Sequence, residues 1–459
     1  MRNTGTMSRR GLLGVAAGLS GTLLAACGAT GSSTGESKPA ASGKLVELRA
    51  HAREGSERDG YRKSVDEFNR LNEGKIKVTY EGLAGDPAYY GPLEVAMVAG
   101  TNGDVHYAHT SNLKFQEYAV KNLAINLDPY IARDKNFKLA DWPATAQDAM
   151  KVVDGKVYGV PIRGQISWLF LYWNIDLFKK VGIPEPTPDW TYEQVLSAAR
   201  TLRGQSNVAD FIPVGHAQSG GFENVVADLR RFGGEFFAEP KGGGKKSQLD
   251  SAQSLATYKF YYDNIKSGLF APRVGYGAAE FGQGKMAMYW GRLAGERGTV
   301  DQNAKGAFQW TFNAMPKGPT GKRGGFLSVD MSQVATNSKF KDQAWEFLKH
   351  ITGKNSGINL ALQPDGSLTP GFRKDVYCSD QLLNDARFPK TAMKANCDNI
   401  EQPDTYVFPH NFRLPGPGHI QEILNKYINP YMDGLKEPTA AELKELNTEV
   451  QRVLDMPRM

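Results

Sequence analysis

Between residues 45 and 108 the apolar pattern switches repeatedly between strand-like alternation and helical spacing, and no other feature constrains the fold as much. Residues 45–50 alternate, Tyr61, Val65, Phe68 and Leu71 recur at helical spacing, and residues 76–80 alternate again. Strand, helix, strand in that order sets two strands parallel, because the helix returns the chain to the edge it left. The pattern recurs with a helix over 90–99, a turn at 100–103 and a strand over 104–108. Strand-like runs persist at 157–162, 168–173 and 326–335, so the expected class is α/β throughout, with ligand sites at the carboxyl ends of parallel strands. Later helices carry clear signals. Thr191 and Gln194 form a capping-box pattern ahead of Val195, Ala198, Ala199 and Leu202, and Ala344, Phe347, Leu348 and Ile351 share one face. Near the end Ile420, Ile423, Leu424, Tyr427 and Tyr431 form one stripe, and Leu443, Leu446, Val450 and Val453 form another behind a cap at Thr439 and Glu442.

With 459 residues, 41% of them hydrophobic, the chain exceeds what one core serves, and about two domains are expected. The first 26 residues read as an export leader. Arg9 and Arg10 precede an uncharged run over 11–26 that is too short and too weakly apolar to remain as a spanning helix; the alternative is a buried amino-terminal helix. Leu24-Ala25-Ala26-Cys27 is a small-residue pattern ending in a thiol, as lipidation of Cys27 requires, and residues 8–13 resemble a twin-arginine export motif beside the general route. Residues 27–43 are mostly Gly, Ser, Thr, Ala and Pro, a flexible tether by composition. Loss of Arg2, Arg9 and Arg10 with the leader, and of no acid, lowers the formal net charge from +6 to +3, a balance that argues against a nucleic-acid partner. With Cys27 lipidated, Cys378 and Cys397 remain as a pair in an oxidising compartment; a disulfide is expected, against two buried thiols.

Several segments, taken in order, resemble family 1 of the extracellular solute-binding proteins. They are the helix–strand pair over 68–80; 95–101 leading into Asp104-Val105; 127–131; Gly155-Lys156-Val157-Tyr158-Gly159-Val160-Pro161; 171–178; Pro188-Asp189-Trp190-Thr191-Tyr192-Glu193; and 281–288. The resemblance spans residues 46–453, and the stretch 241–246 departs from it as an insertion. It implies the type II periplasmic-binding fold: two α/β lobes joined by crossover strands that act as a hinge, with ligand in the cleft and an ABC permease as partner. Carried onto this chain, lobe one is 44–158 plus 325–362, and lobe two is 159–324 plus 363–459.

Candidate site residues lie at strand ends and in loops where the resemblance places ligand contacts. By the resemblance the loop after the first strand offers Arg53 and Glu54 as hydroxyl-binding groups, beside the plain reading of solvated charges. His109 and Ser111 close a lobe-one strand as hydrogen-bonding groups, beside structural roles. A metal between His106 and His109 is set aside, because residues three apart on a strand point to opposite faces and no nearby Cys, Asp or Glu completes a set. Arg163, Gln165 and Trp168 follow the first crossover; Arg163 either clamps hydroxyls or a carboxylate or makes a hinge salt bridge. Trp290 with Arg292, Phe222 and Phe412 supply the aromatic candidates for a stacking platform, each with a core role as its alternative. Gly325 and Phe326 on the return crossover let backbone approach a ligand, with Asp330 as an acceptor.

No nucleophile elbow, phosphate loop, His-Glu-x-x-His or dinucleotide fingerprint occurs, so no cofactor is expected. The expectation is a monomeric, extracytoplasmic receptor, lipid-anchored to the outer face of the cell membrane, that captures a small ligand such as a carbohydrate. Two rivals stand. A receptor for a glycerol phosphoester or polyamine would gather charge, as Arg53, Arg163 and Arg292 do if they converge. A lipid-anchored polysaccharide-processing enzyme would need paired cleft carboxylates.

Overall fold

In chain order the strands are Val46–Glu54 (β1), Ile76–Ala84 (β2), Val105–His109 (β3), Val160–Gln165 (β4), Phe170–Asn174 (β5) and Ile212–His216 (β6). They continue with Met286–Gly291 (β7), Trp310–Ala314 (β8), Gly325–Phe326 (β9), Ser328–Val334 (β10) and Thr405–Tyr406 (β11). The computed structural model describes residues 44–456, except 56, 85, 111–113, 152, 166–168, 219, 240–244, 293–295, 364–369, 401–404 and 407–416. The leader, Cys27 and the tether lie outside the described residues, as do Ser111, Trp168 and Phe412; Gln165 and Phe326 are described in backbone only.

The opening βαβ unit forms as its periodicity requires. β1 and β2 run parallel in continuous register from Val46 opposite Ile76 to Glu54 opposite Ala84. The helix Arg58–Leu71 between them buries Tyr61, Val65 and Phe68. β3 adds parallel to β1, and β10 inserts antiparallel between β3 and β4, giving the order β2-β1-β3-β10-β4. A second sheet has the order β6-β7-β5-β8, with only β6 and β7 parallel. Each sheet has its own core: Leu48, Val78, Val105, Phe347 and Leu348 in the first, and Leu171, Val214, Met288, Leu424 and Leu446 in the second. The helices Pro417–Met432 and Ala440–Leu454 supply the apolar stripes read from sequence to that second core.

β4 pairs with β10 in the first sheet, although the resemblance put 159–165 in the second lobe. The chain therefore leaves the first sheet after Gln165 and returns between β8 and β10. A tight turn shifts the strand. Asp154 and Gly155 both adopt left-handed backbone (φ 51° and 70°) between the bridged residues Val153 and Lys156, so the expected strand at 157–162 starts at Val160. Residues beyond 362 are shared between the cores rather than belonging to the second alone. Phe372, Tyr377 and Ile400 pack into the first, whereas Leu382, Phe388, Ala392 and Met393 pack beside Phe170, Tyr172 and Phe312 of the second sheet. A disulfide joins Cys378 to Cys397 within this shared segment, with Cα atoms 5.0 Å apart. Local signals hold elsewhere: Thr191 Oγ accepts from Gln194 N at 3.4 Å while Gln194 Oε1 accepts from Thr191 N at 2.9 Å.

Candidate functional site

At the carboxyl end of the first sheet the strand register assembles a row of charge. Asp330 of β10 lies directly opposite His109 of β3 on one side and Arg163 of β4 on the other. Its carboxylate pairs with both His109 Nδ1 and Arg163 Nε. The row is buried, Asp330 being 4% exposed, so its charges survive only by pairing. Burial alone would raise the Asp330 carboxyl; the Arg163 guanidinium and His109 outweigh it and hold it well below the usual carboxylate range. Burial likewise opposes the charge on Arg163, and Asp330 and Glu57 outweigh it.

Two further residues close the cluster. Tyr107, two residues before His109 on β3, holds its hydroxyl 3.1 Å from His109 Nε2 and 3.4 Å from the donating Arg163 Nη2. His109 Nδ1 faces a carboxylate and so carries a proton, while Nε2 meets the Tyr107 hydroxyl. Behind the row, the helix Asp86–Ala99 fixes the strand: the Tyr90 hydroxyl accepts from His109 N at 3.0 Å, and the Tyr89 hydroxyl accepts from Tyr107 N at 3.0 Å.

Arg53 and Glu54 lie in the last residues of β1 rather than in a loop, and alternation separates them. Arg53 reaches across the turn to Glu57, with Nε 3.1 Å from Oε1 and Nη2 3.4 Å from Oε2, and its guanidinium sits 5.8 Å from the Tyr107 ring centre. Glu57 Oε2 is also 3.7 Å from Arg163 Nη2. Glu54 instead pairs with Arg62, whose guanidinium covers the Tyr80 ring, so it takes no part in the cluster.

From the second sheet, the helix Phe222–Arg231 brings Glu223 within electrostatic reach of both His109 and Arg292. Burial raises the Glu223 carboxyl, against the opposing pull of its own backbone N–H, of Arg292 and of His109. Arg292, just after β7, is held by its backbone: its N donates to Glu296 at 2.7 Å and its carbonyl accepts from the Tyr172 hydroxyl at 2.8 Å.

The aromatic candidates behave differently. Trp290 is fully buried, stacks on Tyr192 at 4.9 Å and meets Phe270 edge-on at 5.0 Å, so it is core rather than platform. Phe222 packs against Phe236 at 4.8 Å on the margin of the second core. Gly325 is engaged in the short parallel pair of β9 with β11, opposite Thr405. Among the described residues no group of three or more His, Cys, Asp or Glu gathers as a metal site. Four sequence candidates, Arg53, His109, Arg163 and Asp330, thus converge, with Glu57, Tyr107 and Glu223 added by the structure. Glu57 carried a usable signal, an acid four residues after Arg53 at the start of a helix.

A profile of the family described as bacterial extracellular solute-binding protein matches residues 54–356. A protein of Brucella abortus (strain 2308) described as a binding protein is 27% identical over 313 residues, covering 64% of this chain and 72% of the relative. Among solved structures, the ABC substrate-binding protein of Listeria monocytogenes in complex with cycloalternan is 19% identical, with a TM-score of 0.70 over 90% of this chain and 100% of that one. The sugar-binding protein MalE of Xanthomonas citri is 19% identical, with a TM-score of 0.71 over 89% and 97%. At these identities the structural likeness speaks for the fold, two sheets in a mixed α/β chain.

Proposed function

The chain belongs to the bacterial extracellular solute-binding protein family, and from that premise we propose that its cleft captures an uncharged, hydroxyl-rich ligand, a mono- or oligosaccharide or its polyol. As a member it is the non-enzymatic solute-binding component of an ABC transporter, with the periplasmic-binding fold. The observation that carries the ligand class is the internal pairing of the cluster. Arg53 and Arg163 face Glu57 and Asp330, so two positive charges meet two negative ones before any ligand arrives. A phosphoester seeks uncompensated guanidinium and a polyamine seeks uncompensated carboxylate; among these four residues the charges balance. Hydroxyl groups instead need fixed donors and acceptors side by side, and guanidinium N–H groups, carboxylate oxygens and the Tyr107 hydroxyl offer both. The neighbours bound to cycloalternan or described as sugar-binding support the same reading. Ser111, Gln165, Trp168, Phe326 and Phe412 complete the proposed ligand contacts, with Phe412 as the stacking platform. Lipidation at Cys27, export by the twin-arginine route, a monomeric state and closure about the crossovers belong to the same proposal.

The test is a thermal-shift titration of the purified chain against sugars, polyols, sugar phosphates and polyamines. A ligand bound only by the folded state at a hundred times its Kd stabilises by about 2.7 kcal/mol. A neutral sugar or polyol that raises the midpoint and is recovered unchanged supports the reading. Stabilisation by a phosphoester or polyamine alone, or cleavage of a sugar, sinks it.

A further inference from the structure

In the first sheet the chain passes from β1 to β2 on one side and then back across β1 to β3 on the other. In open α/β sheets such a reversal leaves a crevice between the carboxyl ends of the two strands it separates, here β1 and β3. The register shows the crevice opening. β1 and β2 stay paired as far as Glu54 opposite Ala84. β1 and β3 pair at Ala50 opposite Val105 and at His51 opposite His106, and among the described residues their pairing stops there. Arg53 ends one arm of the fork, and Tyr107 and His109 end the other.

A phenol sits at the base of this fork. Tyr89, in the helix Asp86–Ala99, is fully buried. Its hydroxyl accepts from Tyr107 N at 3.0 Å, donates to Tyr107 O at 2.8 Å and reaches His51 O at 3.3 Å. It therefore touches the backbone of both strands at the point where they part. Burial raises the Tyr89 hydroxyl well above its usual range, so it keeps its proton and remains a donor. Its ring meets those of Tyr107 and Tyr90 edge-on, at 5.9 Å and 5.0 Å. Tyr107 is thus gripped at both N–H and C=O, which fixes where its side chain leaves the strand, and the hydroxyl of that side chain lies 3.1 Å from His109 Nε2 and 3.4 Å from Arg163 Nη2.

We infer that Tyr89 is a positioning residue of the ligand wall: its hydroxyl holds β1 and β3 apart at the base of the fork and, through Tyr107, sets where His109 and Arg163 present their groups. The inference rests on the reading of this wall as the ligand-binding one and adds the residue that shapes it. Tyr89 acts through Tyr107 and touches no ligand itself.

The experiment is NMR on the full chain, with labelled backbone amides and histidine rings and no ligand added. It compares the wild type with Tyr89→Phe, Tyr107→Phe, the double variant, and Tyr118→Phe, which removes a hydroxyl that bonds Glu94 of the same helix at 3.1 Å. The expected result is displaced ring-nitrogen resonances of His109 in Tyr89→Phe, together with exchange of the Tyr107 amide about tenfold faster, the effect of losing one hydrogen bond. In the Tyr107→Phe background, Tyr89→Phe should displace the His109 ring no further, because the path runs through the Tyr107 hydroxyl. His109 resonances that stay in place in Tyr89→Phe overturn the inference, whatever the Tyr107 amide does. So does an equal displacement with and without the Tyr107 hydroxyl, or the same displacement in Tyr118→Phe. If Tyr89→Phe fails to fold, the wild type decides: a slowly exchanging Tyr89 hydroxyl proton with a nuclear Overhauser contact to the Tyr107 amide supports the inference, and free exchange with water overturns it. With no ligand in the sample, the outcome is separate from the neutral-ligand reading, which the thermal-shift titration decides.

Discussion

Replacing Asp330 by asparagine removes one negative charge and almost no volume from the centre of the charged row. Arg163 keeps its charge in a buried position but loses its closest carboxylate, and His109 loses the acceptor that orients its ring. Breaking a buried pair by deleting one partner costs about 3–5 kcal/mol, because the remaining charge stays desolvated. Unfolding entropy of about 2.1 cal/mol/K per residue over roughly 410 residues turns that loss into a midpoint fall of about 3–6 °C. Differential scanning calorimetry at pH 7 reads it directly. The pH dependence adds a sign. The folded carboxyl is depressed below its unfolded value near 3.9, so its contribution is complete above that value and is lost as pH falls through the folded one. The gap between wild type and variant should therefore not shrink from pH 7 to 5, where pairing with His109 can only widen it, and should shrink below about 4. A midpoint within 1 °C of wild type at pH 7, or a gap that shrinks already between pH 7 and 5, refutes the view that Asp330 neutralises Arg163.

Two other perturbations probe the body of the protein. Burial holds the His106 imidazole down to about 3, whereas in the unfolded chain it titrates near 6.5; its neutral burial thus contributes stability above pH 6.5 that is lost as pH falls toward 3. In urea titrations His106→Gln should gain about 3 kcal/mol relative to wild type between pH 6.5 and 4, and a pH-independent difference contradicts the neutral assignment. The Cys378–Cys397 bond closes a loop of sequence separation 19, for which loop entropy gives a loss of about 3 kcal/mol in the Cys378→Ser/Cys397→Ser double variant. Unchanged denaturant midpoints with and without that bond would count against a stapling role for the shared segment.

What sequence made legible was local. The βαβ opening, the Thr191 capping box and the closing helix stripes follow from residues within one or two elements of each other, and the structure has them. Arg53, His109, Arg163 and Asp330 were reachable because strand ends can be located even when strand neighbours cannot. Their pairing was not, since Asp330 meets His109 and Arg163 only through a register across more than 150 residues of chain. Glu57 had only its spacing from Arg53 to mark it, at a helix start, where carboxylates are ordinary. Trp290 misled for a different reason: every residue of β7 is buried, both faces of the strand being covered, so alternation carries no information on which face meets the cleft.

The insertion of β10 between β3 and β4 also says something about how the protein is made. The strand at the heart of the first sheet is among the last of its parts to leave the ribosome, for β3 ends at His109 and β10 begins at Ser328. Until then β3 and β4 each present an unpaired edge, open to pairing with other chains. The first half of the molecule cannot mature before the second has been synthesised, and a truncation between β4 and β10 leaves a gap in the middle of a sheet rather than a shortened rim. Contacts of such long sequence separation slow folding.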